Sequence, residues 1–132
     1  MADVTQFKFG ESNRTKVGTF SIDTTTATGT QAITGVGFVP QVCIFFATDS
    51  QAAGESSWGM DDGSGENCVY DSHNGTANTY TSIATISIRD LQSAANYYSG
   101  EVQSFDSDGF TITWTKNGSP TGTLIIKFIA YA

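Results

Sequence analysis

"SFDSDGFTITWTKNG", residues 104–118, decides the reading of the chain. In its middle, Phe110, Ile112 and Trp114 alternate with Thr111, Thr113 and Thr115. A period of two is that of a strand with one face toward a core and one toward water. "DSDG" before it and "NGSPTG" after it are turns: Asp and Asn bond their own backbone, and Gly supplies positive φ. Two carboxylates lie in the first turn, with no nucleophile or base beside them.

The same grammar extends in both directions. "TLIIKFIAYA", 123–132, is apolar on both faces and predicts a central strand. "PQVCIFFAT", 40–48, sets Val42, Ile44 and Phe46 against Cys43, Phe45 and Ala47, which predicts a strand lying deep between two layers. "VGTFSID" from Val17 alternates with Phe20 and Ile22 on one face, and "QAITGVGF" is a weaker strand. "SSWGMDD" and "NCVYDS" predict a hairpin closed by "DGSGEN". In "TYTSIATISIR", Ala84, Ile86 and Ile88 share a face. "DLQSAANYY", 90–98, reads as a helical turn capped by Asp90, or as a loop. "EVQSF" is a further strand.

Eight or nine short strands at close intervals, with no long helix, predict an all-β antiparallel sandwich of jelly-roll type. The 132 residues suffice for one such domain, 17–132. Residues 1–16 lack periodicity and read as a short N-terminal arm. Thr, Ser and Gly make up about a third of the chain, a bias toward sheet and turn.

The formal charge is −7, which disfavours binding to phosphate backbones and hence nucleic acid. Lys8, Arg14 and Lys16 are three of the six basic residues and all fall in the arm. No stretch approaches the roughly 18 apolar residues of a membrane-spanning helix, and the first residues lack the apolar centre of a secretory signal. A chain that stays where it is made keeps Cys43 and Cys68 as free thiols.

Chemistry finds few footholds. Asp106-x-Asp108-Gly109 matches part of a calcium loop, but the twelfth position is Asn117 where an EF-hand has a bidentate acid. Asp61, Asp62, Ser64, Glu66 and Asn67 gather more oxygens, yet the plain reading is a solvated hairpin tip. His73 is the only histidine; Asp71 shares its face and Ser72 opposes it, which is no relay. The expectation is no catalytic residue, no metal and no cofactor. Trp58, Tyr97 and Tyr98 lie in polar segments, where aromatics anchor partners or stack on sugars. With Phe7, Lys8, Phe9, Arg14 and Lys16 of the arm, they are the expected partner-binding residues.

"TGVGFVPQVCIFFA" together with "SFDSDGFTITWTKNGSPTGTLIIKFIAYA" resembles a group of small β-sandwich phage virion proteins. Members commonly open with a G-[TS]-F strand, carry a GxGFxP turn before an apolar strand, and close with GFT(I/V)xW and an apolar end. The matching residues here are Gly18 to Phe20, Gly35 to Pro40, Gly109 to Trp114 and Lys127 to Ala132. The resemblance implies a capsid decoration (cement) protein or a tail-associated component, oligomeric and often trimeric. Its partner would be the phage major capsid protein, and its place the capsid surface of a virion assembled in the host cytoplasm. The alternative is a carbohydrate-binding or receptor-binding module of a phage tail or fibre.

Overall fold

The computed structural model describes residues 14–51, 55–73 and 78–132. Ten strands follow in chain order: β1 (Thr15–Asp23), β2 (Gly29–Thr34), β3 (Val42–Asp49), β4 (Ser56–Asp61), β5 (Glu66–His73), β6 (Asn78–Ile83), β7 (Ile88–Leu91), β8 (Tyr97–Asp106), β9 (Gly109–Asn117) and β10 (Thr123–Tyr131). They form two antiparallel sheets packed as a sandwich. One has six strands in the order β1-β10-β3-β4-β5-β6, the other four in the order β2-β9-β8-β7. The all-β sandwich expected from the alternation is the observed fold, with ten strands in place of eight or nine.

Three local expectations change. β1 begins at Thr15, paired with Tyr131, so Lys16 lies in the sheet opposite Ala130 and the strand starts two residues before the expected boundary. Residues 90–98 are neither helical nor one loop. Asp90 and Leu91 end β7, a loop closed by Gln92 and Ser93 N–H bonds to the Asn96 carbonyl follows, and Tyr97 opens β8. β-pairing with Tyr97 and Tyr98 takes up the backbone that a helix would have needed. The face expected to be shared by Ala84, Ile86 and Ile88 is interrupted: β6 ends at Ile83 and β7 starts at Ile88, where the chain leaves one sheet for the other. Gly59 of β4 admits this passage. A Cβ there would collide with the Ser87 carbonyl oxygen.

The core fills the space between the sheets. Phe45, Ile126, Phe128 and Ala130 of the larger sheet face Phe110, Ile112 and Trp114 of the smaller one. Phe110 meets Phe45 and Phe128 edge to face, with centroids 5.5 and 5.1 Å apart. The Trp114 indole stacks on Tyr98 at 5.2 Å and donates its N–H to the Gln31 side-chain oxygen at 3.0 Å. Gly100 lies opposite Trp114 in the β8–β9 pairing, and a Cβ there would come within 2.7 Å of the indole. Cys43 and Cys68 are both free and buried, and burial pushes their thiols up to about 12 and about 11.

The "TGVGF" turn is held by a residue distant in sequence. Asp108 accepts the Gly37 N–H at 2.7 Å and the Gly35 N–H at 3.0 Å, and both glycines have φ near +85°. These two bonds hold the Asp108 carboxyl below its ordinary value of 3.8. The turn and the "DSDG" bend are therefore one interaction seen from two ends.

Two outcomes are expected. Trp114→Ala should lower unfolding free energy by about 3–5 kcal/mol in urea titrations, the range for truncating a buried large aromatic; a loss under ~1 kcal/mol would mean that the indole is outside the core. Asp108→Ala should melt below wild type at neutral pH. Because the folded carboxyl is depressed, its contribution is complete above pH 3.8 and is lost as pH falls through the folded value. The difference between the two proteins should therefore shrink under acid, and a constant difference would contradict the assignment.

Candidate functional site

Each sheet turns one face inward, so alternate residues of the larger sheet must face out. In β3, Cys43, Phe45, Ala47 and Asp49 are buried, which leaves Ile44 and Phe46 on the outer face. β10 repeats this with Ile125, Lys127 and Ile129 outward. The expectation that β3 lies between two layers is corrected here, because nothing among the described residues covers this face.

The registers assemble these side chains into two rows. Val17, Ile129, Ile44 and Met60 are successive cross-strand partners, and so are Lys127, Phe46, Trp58 and Val69. Val17 is 66% exposed and Trp58 61%, with Phe46, Met60, Val69 and Ile125 also exposed. Trp58 stacks on Phe46 with centroids 5.2 Å apart and planes 24° apart. Neighbouring strands are about 4.8 Å apart, so β1 to β5 carry this surface across about 19 Å. Thr19, Thr48, Ser82 and Asn67 form a polar margin. Singly exposed apolar residues are ordinary, but a contiguous apolar area with a polar rim marks a place where another molecule docks.

Of the expected contact residues, Trp58 stands at the centre of this surface. Tyr98 does not belong to it. It is fully buried against Trp114, because β8 turns alternate residues into the core. Tyr97 is half-buried on the other sheet under the Arg89 guanidinium, 3.6 Å from its ring centroid. Arg14 bonds the Gly37 carbonyl and lies over the Phe38 ring. Lys16 is exposed in β1. Phe7, Lys8 and Phe9 lie outside the described residues, as does the side chain of His73. Ile44, Phe46, Ile125 and Ile129 were expected inside; their signal was the two-sided apolar run itself, which fits a buried strand and an adhesive one equally.

The acidic loops are occupied with their own turns. Asp62 accepts the N–H groups of Ser64 and Gly65 and the Ser64 hydroxyl. Asp106 accepts hydroxyls from Ser104 and Thr111. Asp61 and Glu66, cross-strand partners in β4 and β5, stand beside a cleft of about 320 Å³ that Val102 and Phe105 also line. Burial raises both carboxyls; Asp62 raises Asp61 further, and the charges of Asp61 and Glu101 raise Glu66. Three further carboxylates converge, those of Asp49, Glu55 and Asp90, which no local pattern unites.

No protein-family model, no curated protein and no solved structure matches the chain.

The chain has two tryptophans, one exposed and one buried. Acrylamide should quench one emitting population and spare the other, and Trp58→Phe should remove the quenchable part. Equal quenching of both, or none, would be inconsistent with an open outer face.

Proposed function

We propose that this protein is a non-enzymatic structural subunit that adheres through the outer face of its six-stranded sheet. In the setting that its sequence resembles, it is a phage capsid decoration protein gripping the major capsid protein, or further copies of itself in a trimer. The observation that carries this reading is the pair of apolar rows centred on Phe46 and Trp58. Burying such a surface stabilises an assembly by about 25 cal/mol per Å² of apolar area before association costs are subtracted. The aromatic stack at its centre is the kind of anchor that dominates interface energetics. The net charge of −7 keeps single subunits apart until a complementary surface is met.

A second reading has one observation in its favour. The exposed Trp58 ring, backed by Phe46, is a flat platform of the kind on which sugars stack. It would make the protein a glycan-binding or receptor-binding module.

A Trp58→Glu, Met60→Glu double variant separates the readings. It should remain folded and lose at least tenfold in occupancy when co-sedimented with shells of the major capsid protein, with the solution oligomer reduced in mass by light scattering. Undiminished occupancy and mass would overturn the adhesive face. Trp58-dependent binding on a glycan array, without shell binding, would establish the second reading instead.

A further inference from the structure

Three carboxylates far apart in the chain meet in the interior. Asp49 is the last residue of β3, Glu55 precedes β4, and Asp90 lies in β7 of the opposite sheet. Each offers an oxygen, and all three oxygens lie within 4.8 Å of one another. The residues are 9%, 4% and 0% exposed. Asp49 Oδ1 accepts the Gln51 N–H at 3.1 Å and the Ser50 hydroxyl at 3.4 Å, whereas Asp49 Oδ2 and Asp90 Oδ2 draw on one shared amide. The Gln92 amide accepts the Thr121 N–H at 3.0 Å, which fixes its orientation and turns its nitrogen toward three oxygens. These are Asp90 Oδ2 at 2.9 Å, Asp49 Oδ2 at 3.1 Å and the Thr121 carbonyl at 2.6 Å. Two amide protons face three acceptors. The remaining Asp90 oxygen, Oδ1, is buried with no hydrogen-bond partner among the described residues. The Arg89 guanidinium lies over the Tyr97 ring.

We propose that Asp49, Glu55 and Asp90 form a binding site for one divalent cation, with calcium the ion that the donor set suits. All the donors are hard oxygens, which select calcium or magnesium over zinc or copper. Oxygens bound to a calcium ion at about 2.3–2.6 Å cannot be more than ~5 Å apart, and these three meet that limit. Three carboxylates bring up to six oxygens, and the Thr121 carbonyl shares the Gln92 amide with two of them. So many protein ligands fit calcium's high and flexible coordination better than magnesium's preference for bound water. Beside the Arg89 guanidinium, whose charge favours the ionised Asp90, the ion would supply further countercharge to three buried carboxylates. It would also fasten β3 and β4 of the larger sheet to β7 of the smaller.

The rival occupant is a proton. Burial, then the charges of Asp49 and Glu55, push the Asp90 carboxyl up to about 7. Calorimetric titration and thermal melts of the full chain, stripped with EGTA and held at pH 8, separate the two. The expected result is one calcium bound per chain and a melting temperature raised by several degrees, with magnesium weaker. Calcium at a hundred times its dissociation constant should raise the folded-to-unfolded ratio roughly a hundredfold. Asp90→Asn and Glu55→Gln should each fold, by circular dichroism, and lose the calcium response; if one fails to fold, the other carries the test. No heat and no shift in the wild-type protein at millimolar calcium would overturn the site in favour of the proton. A response undiminished in the folded variants would overturn its assignment to these residues.

Discussion

A sandwich of two sheets has one interior. The six-stranded sheet can bury one side of β3 and β10 against the four-stranded sheet, and whatever alternates with that side must face outward. The same constraint that builds the core from Phe45, Ile126 and Phe128 sets Ile44, Phe46 and Ile125 in a sheet face with no third layer among the described residues. Burial and adhesion are then two consequences of the same strands. A chain selected only for solubility would put threonine or lysine at those outward positions, as β9 does with its threonines and β10 does at Lys127.

The acidic residues divide by environment. Asp23 and Asp62 accept a hydroxyl and then backbone N–H groups of their own turns, Asp108 accepts distant backbone N–H groups, and those hydrogen bonds lower each carboxyl. Asp61, Glu66 and Asp90 are raised, because burial disfavours charge and other acids stand near. The first group explains how a chain with many turns keeps a defined register. The second concentrates acidic charge at two places, and around Asp90 three carboxylate oxygens from both sheets converge.

Much of the fold was legible because strand alternation is local. Phe110, Ile112 and Trp114 are all buried, as their spacing required. The turn at "DGSGEN" closes β4 onto β5. Where the reading went astray, a distant partner had decided. Residues 90–91 and 97–98 became strand ends because β7 and β8 pair there, and Tyr98 went inward because its position in β8 faces Trp114. The candidate docking surface was half visible: Trp58 stood out as an aromatic in a polar segment, whereas Phe46 and Ile44 were indistinguishable from core.

By itself, the sequence determined the strand periodicity, the turn positions and the class of fold. Those depend on bonds and steric preferences within a few residues. Only the tertiary structure decided which side of each two-sided strand meets water, that Asp108 holds the Gly35–Gly37 turn, and that Asp49, Glu55 and Asp90 converge. Those outcomes depend on which strands become neighbours. A period of two marks two faces without saying which of them another layer will cover.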